Sequence, residues 1–237
     1  MLTIRHLTKT YKGGKRAVDD LSLTVENGDI YGFIGHNGAG KSTTIKAVVG
    51  VLDFESGTIE IDGHDVKREP LACKQITAYI PDNPDLYEHL TGIQYLNFIA
   101  DIFGVEARDK ERRIREYAER FEITDALGDS IASYSHGMRQ KAAIISALIH
   151  EPRLLVLDEP FVGLDPKASL TLKEIMRELC AGGGAIFFST HVLEVAQKLC
   201  NKVGIIRQGR LVVDGDMDRL VRDHSLEELF MEVTENE

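Results

Sequence analysis

Gly35-His36-Asn37-Gly38-Ala39-Gly40-Lys41-Ser42-Thr43 is the stretch on which the reading of this chain turns. It fits the spacing G-x-x-x-x-G-K-[ST] of a loop that cradles phosphates. Asp29-Ile30-Tyr31-Gly32-Phe33-Ile34 precedes it as a short apolar run suited to a buried strand, and Thr44-Ile45-Lys46-Ala47-Val48-Val49 follows with the character of a helix. Strand, loop and helix in that order are what a polyphosphate site needs. Gly35, Gly38 and Gly40 let the backbone bend around a dense anion, so that successive N–H groups and the helix N-terminus point at it. Lys41 adds a mobile positive charge for the outer phosphates, and the Ser42 hydroxyl is placed to ligand Mg²⁺. Asn37, Gly38, Ala39, Gly40, Lys41, Ser42 and Thr43 are the candidate contacts of this loop.

The rest of the chain bounds what surrounds the loop. Its 237 residues are enough for one large domain or two small ones with an ample core, and 43% hydrophobic with 28% charged residues is a globular composition. Apolar stretches stay short of the roughly 18 residues of a membrane span. Met1-Leu2-Thr3-Ile4-Arg5-His6 has no apolar leader pattern. The expectation is a cytoplasmic protein that neither crosses a membrane nor is exported. A net charge of −10 disfavours nucleic acid as a general partner. Cys73, Cys180 and Cys200 are odd in number and far apart, so buried reduced thiols are expected rather than a disulfide framework or a zinc site.

Alternating apolar positions at 2–8, 21–27 and 57–63 predict three antiparallel strands near the N-terminus. From 86 to 150 the spacing turns helical, as in Ile93-Gln94-Tyr95-Leu96-Asn97-Phe98-Ile99 and from Arg112 to Phe121, which predicts a helical insertion. Strand character returns at Leu154–Asp158, Ala185–Ser189 and Val203–Ile206, with helices at about 167–180 and 192–201 between them. Continuous apolar strands alternating with helices predict a parallel sheet covered on both faces. Arg207-Gln208-Gly209-Arg210 predicts a hairpin turn, followed by two short helices.

Two further constellations carry chemistry. Leu154-Leu155-Val156-Leu157-Asp158-Glu159-Pro160 puts two acids at the C-terminal end of an apolar strand, where ligands of open α/β sheets bind. Beside a phosphate loop, Asp158 can serve the metal shell and Glu159 is the natural general base for an attacking water. Ser133-Tyr134-Ser135-His136-Gly137-Met138-Arg139-Gln140-Lys141 sets Ser135 and Gly137 where a helix begins. That is either a plain helix cap or a second anion site.

The ordered series of the loop at 35–43, Ser135-x-Gly137, Leu-Leu-Val-Leu-Asp-Glu-Pro at 154–160, Gly163-Leu164-Asp165 and Ser189-Thr190-His191 resembles the ATP-binding-cassette ATPase family over nearly the full chain. The resemblance implies an α/β fold of the P-loop NTPase (RecA-like) type, with a parallel sheet core, an antiparallel β subdomain and a helical subdomain. It implies a single domain over 1–237. Within it, 1–85 and 152–218 form the nucleotide-binding core with its β subdomain, 86–151 the helical subdomain, and 219–237 a helical tail. The cofactors implied are ATP and Mg²⁺. Tyr11 matches the aromatic that stacks on adenine, and residues 135–137 match the signature that touches ATP held by the opposite subunit. Asp165 matches an acid of the loop crossing the dimer interface, and His191 the switch histidine that contacts the γ-phosphate. Lys41, Glu159 and His191 are thus the implied catalytic set, with Ser42, Asp158 and Asp82 toward the metal.

The chain departs from the family at two places. The signature reads Tyr-Ser-His-Gly-Met-Arg-Gln-Lys rather than Leu-Ser-Gly-Gly-Gln, and Asp82 follows Ala78-Tyr79-Ile80-Pro81 where a Gln is usual. A carboxylate there can still bind a cation but adds charge and loses the amide donor. The loop wording, the signature wording and the ending Ser225-Leu226-Glu227-Glu228-Leu229-Phe230-Met231-Glu232-Val233 resemble the ATPases of ABC-2-type exporters. The implied partners are a second copy or a paralogous ATPase subunit, and a separately encoded membrane permease that holds the chain at the inner face of the cell membrane. Residues near 82–98, with Tyr87, Leu90, Tyr95 and Phe98 as candidates, would meet that permease, although core packing explains each as well. A soluble cassette switch acting on DNA or ribosomes is the alternative; such proteins usually add a coiled-coil insertion or a second cassette.

Overall fold

Ile30–Ile34 is buried along its whole length, as a strand covered on both faces must be. This strand, β3, is an inner strand of a six-stranded sheet in the computed structural model, which describes residues 1–222 and 225–235. Its companions are β6 (Thr77–Ile80), β7 (Leu154–Asp158), β8 (Ala185–Thr190), β9 (Lys202–Arg207) and β10 (Arg210–Asp216), in the order β10-β9-β3-β8-β7-β6. All pairs are parallel except β9 with β10, which close the predicted hairpin at Arg207 and Arg210.

Successive residues of these strands feed opposite cores, as the period of two requires. Ile30, Ile34, Leu155, Leu157, Ile186 and Phe188 face the helical side. Tyr31, Phe33, Leu154, Val156, Ala185 and Phe187 face an antiparallel sheet. That second sheet holds β1 (Leu2–Thr10), β2 (Arg16–Val25), β4 (Ser56–Ile61) and β5 (His64–Asp65) in the order β2-β1-β4-β5. Phe187 packs between Tyr31 and Phe33, with ring centroids 5.7 and 5.3 Å away. Each such buried side chain contributes about 1.5–3 kcal/mol.

Helix α1 (Lys41–Val48) leaves the loop after β3, and α6 (Pro166–Ala181) and α7 (Leu193–Leu199) connect β7 to β8 and β8 to β9. The helical insertion is α3 (Gly92–Ile102), α4 (Ala107–Arg120) and α5 (His136–Leu148). Thr91 and Gln94 cap α3 reciprocally. The chain ends in α8 (Met217–Leu220) and α9 (Leu226–Glu235). Of the expected tail at 219–237, residues 223–224 and 236–237 lie outside the described residues.

Three expectations need correction. The antiparallel sheet has four strands rather than three, because β5 is two residues long and too short to show a period. Strand β2 starts at Arg16 rather than 21, since charged residues on its open face interrupt the alternation. Helix α2 (Pro70–Ile76) and edge strand β6 were not expected at all: both are short and half-exposed. The cysteines behave as expected, all three buried and unbridged. Among the described residues no helix is long and apolar enough to cross a membrane.

His150, just past α5, stacks face to face on Phe103 at 3.7 Å. Burial pushes its imidazole from the ordinary 6.5 down to about 4, and the nearby Arg113 charge adds to this. Below pH ~6.5 the unfolded chain binds a proton that the folded chain refuses, so stability falls as pH drops toward about 4, by at most ~1.4 kcal/mol per pH unit. His150→Phe keeps the stack and removes the titration. Thermal denaturation of this variant is expected to be less pH-dependent across that window than wild type; parallel curves would contradict the assignment.

Candidate functional site

The loop after β3 is shaped by its glycines. Gly38 and Gly40 take φ of +80° and +117°, a region open chiefly to glycine. A Cβ on Gly40 would lie 2.4 Å from the Ala17 carbonyl oxygen, and one on Gly35 2.5 Å from that of Ile206. The outer wall is the β9–β10 turn, whose Gly209 N–H donates to the Ala39 carbonyl at 2.8 Å. Ala39 is thereby turned inward.

Lys41 is 7% exposed, and its ammonium donates to the carbonyls of Gly35 at 2.6 Å and His36 at 3.3 Å. Burial pulls it below the ordinary lysine range, opposed by the Glu159 and Asp158 carboxylates. Glu159 Oε1 stands 4.0 Å from Lys41 Nζ. The cleft between them is about 260 Å³ and is lined by Tyr11, Lys15, Ala17, Asn37, Gly38, Gly40, Lys41, Ser42, Thr43, Asp82, Asp158 and Glu159. Tyr11 guards its mouth, 41% exposed, with its hydroxyl 3.2 Å from Thr43 Oγ1.

The acids are held by the neighbouring strand. Ser189 Oγ donates to Asp158 Oδ1 at 2.5 Å and accepts the Glu159 N–H at 3.1 Å. Glu159 sits at φ +50°, a strained conformation for a carboxylate residue that turns it off the strand end. His191 Nδ1 approaches Glu159 Oε1 to 2.9 Å, and the His191 N–H meets Oε2 at 3.4 Å. Lysine, carboxylates, hydroxyl and imidazole thus converge on one opening, a set able to neutralise phosphate charge and to take a proton from water.

Ser135 and Gly137 are not brought into this cleft. Ser135 caps α5 by accepting the Met138 N–H at 3.3 Å. Behind it the signature is braced on the Gly163–Asp165 loop: Lys141 Nζ is 2.8 Å from Asp165 Oδ2, and Asp165 caps α6 at Ala168. The His136 ring, where the family has Gly, fits because residue 163 has no side chain; a Cβ there would lie 2.4 Å from His136 Cδ2. Of the candidate permease contacts, Tyr95 is a core residue with its hydroxyl 3.4 Å from Ser146 Oγ, and Leu90 packs against the same core. Tyr87 and Phe98 are exposed and touch each other at 5.6 Å.

Sequence reasoning missed Lys15, Ala17 and the bracing role of Ser189. Lys15 is flagged only by its neighbourhood to Tyr11, and the Ser189 link appears only once β7 and β8 are adjacent.

A sequence profile described as ABC transporter matches residues 18–162. The chain is 35% identical over 242 residues to the ABC-type transporter ATP-binding protein EcsA of Bacillus subtilis, spanning 100% of this chain and 98% of that one. It is 35% identical over 219 residues to the daunorubicin resistance ATP-binding protein DrrA3 of Streptomyces coeruleorubidus, spanning 92% and 69%. A solved structure of an ATP binding subunit of an ABC transporter superposes with a TM-score of 0.94 at 36% identity, over 98% and 99% of the two chains. The profile spans the phosphate loop and the acidic strand end together, and on that ground the chain belongs to the ABC transporter family, as one of its ATP-binding, ATP-hydrolysing subunits.

Proposed function

We propose that two copies of this chain, or one copy and a paralogue, close head to tail around MgATP and drive a separately encoded membrane permease, outward. One observation carries the reading. Lys41, Ser42, Asp158 and Glu159 line a single cleft, with His191 on the Glu159 carboxylate, while Ser135 and Gly137 stand apart at the start of α5. A copy therefore offers a loop for its own nucleotide and a signature for its partner's, which an isologous two-fold pair satisfies at both sites.

In this reading the N–H groups of residues 37–43 and the start of α1 hold the phosphates, and Tyr11 stacks on the base. Lys41 leaves the Gly35 and His36 carbonyls to meet the β- and γ-phosphates. Glu159 takes the proton of the attacking water, kept in place by its backbone bond to Ser189 and by the His191 ring. The Ser42 hydroxyl and the Asp158 carboxylate are hard oxygen donors suited to Mg²⁺ and are the residues that would hold it. Bound there, the ion supplies charge neutralisation across the outer phosphates. Residues 1–85 and 152–218 form the nucleotide core in this account, 86–151 the helical subdomain that carries the signature, and 219–237 the tail.

Similarity to a protein named for daunorubicin resistance supports the outward direction, since expelling a drug is one way to resist it. The exposed pair Tyr87 and Phe98 supports a docking role for 82–98, and attachment to a permease would hold the chain at the inner membrane face. The test is to purify the chain with its candidate permease: co-purification and stimulated ATP turnover are expected. Neither appearing would contradict the transport reading.

Asp82 lines the cleft with Asp158 and Glu159 and accepts the Asn83 N–H at 2.9 Å. It takes the coupling position here and adds a third carboxylate near the metal. Asp82→Gln and Asp82→Ala are expected to shift the Mg²⁺ concentration for half-maximal ATPase by about fivefold, equivalent to about 1 kcal/mol. Three superimposable Mg²⁺ curves would remove Asp82 from the metal site.

A further inference from the structure

Helix α9 lies outside the cleft, yet it touches the nucleotide loop at His36, Arg207 at the end of β9, and the helix α7. The helix is opened by a reciprocal cap: Ser225 Oγ accepts the Glu228 N–H at 3.1 Å, and Glu228 Oε2 accepts the Ser225 N–H at 2.7 Å. Leu226 and Phe230 are buried, with Leu229 and Val233 packed on the same core, so one apolar face is turned inward.

What that face covers is the back of the nucleotide loop. The Phe230 ring meets the His36 ring edge-on, with centroids 4.8 Å apart, and His36 supplies one of the two carbonyls that hold Lys41. At the other end of the helix, the Leu226 N–H donates to Gln197 Oε1 at 3.0 Å. Gln197 belongs to α7, the helix that follows His191. Arg207 donates to the Val233 carbonyl at 3.1 Å, and the turn after Arg207 is the one that grips Ala39. The first part of the loop, the turn clamping its middle and the helix behind His191 are thus joined by ten residues from the end of the chain.

We propose that α9 is a strap that fixes the phosphate loop relative to the helix after His191, and that Phe230 is a positioning residue for nucleotide binding, acting through His36. The physical ground is entropy. A loop with three glycines loses more freedom on ordering than other sequences, and contacts that order it beforehand reduce what binding must supply. The contact is an edge-to-face ring pair on a residue otherwise open to solvent. This inference rests on the loop at 35–43 being the nucleotide site.

The test is MgADP titration and amide hydrogen exchange on the full chain. Phe230→Ala is expected to weaken MgADP binding by about two- to tenfold, and to speed exchange across both 36–40 and 193–199. Phe230→Tyr, which keeps the ring, is expected to restore both. Should Phe230→Ala fail to fold, Phe230→Leu keeps an apolar side chain in place but withdraws the ring from His36, and the same loss is expected of it. Wild-type affinity in these variants, with faster exchange confined to 225–235, would overturn the strap alone. Failure of the wild type to bind MgADP would overturn the reading of the site, and the strap with it.

Discussion

Glu159→Gln is expected to lower ATP turnover by about 10²–10⁴-fold while leaving ATP binding in place. The substitution preserves shape and removes the negative charge, and with it the ability to accept a proton. The backbone of residue 159 is held without its charge, since its N–H bonds Ser189 Oγ at 3.1 Å and the Ser189 carbonyl at 3.2 Å and the positive φ belongs to the turn. The side chain gives up its charge toward His191 Nδ1 and Lys41 but keeps an amide oxygen able to accept. Lys41 loses one of two opposing carboxylates but keeps its loop carbonyls. Binding without hydrolysis should then trap the closed pair, so that size-exclusion chromatography in MgATP shows a dimer that the wild type loses as it turns over. Unchanged turnover would take Glu159 out of the base role.

Gly40→Ala is expected to destabilise the fold by about 3 kcal/mol and to abolish nucleotide binding. Two costs act together. Residue 40 sits at φ +117°, where a side chain is strained, and its Cβ would press to 2.4 Å on the Ala17 oxygen and 3.1 Å on Ile206 Cδ1. The nearest neighbour is backbone and has little room to yield. Ala17 lies in β2, which is tied to the same turn by the bond from the Asp19 N–H to the Gly209 carbonyl at 2.9 Å. Relief therefore has to come from the loop, and α1 begins at the next residue. A melting temperature and an ATP affinity both close to wild type would contradict this account of the loop.

The features legible in the sequence were local ones. The strand–loop–helix around Lys41 and the apolar runs of β7, β8 and β9 announce themselves because their pattern is contained within a few residues. The hairpin at 207–210 does the same through its Gly. The place of Glu159 at the cleft was legible for the same reason, since an acid pair ending a buried strand has few bland explanations beside a phosphate loop. What escaped was set by packing between distant segments. Ser189 bridges two acids only because β8 lies beside β7, and His136 is tolerated only because Gly163 leaves it space. Tyr95 was a candidate permease contact through the resemblance, with core packing as the other explanation, and it is buried with its hydroxyl 3.4 Å from Ser146 Oγ on α5. Phe230 lies almost 200 residues from His36 in sequence, and no spacing rule could have joined them.

In the proposed pair, each working site draws its loop from one copy and its signature from another. Lys41→Ala removes the loop lysine, and Ser135→Arg obstructs the exposed signature; each protein alone should be nearly inactive. When the two are mixed, the heterodimer holds one composite site in which both halves are intact. Recovered ATP turnover, up to about a quarter of wild type if the sites act independently, is the predicted result. Turnover of the mixture no greater than the sum of the two inactive proteins would contradict it.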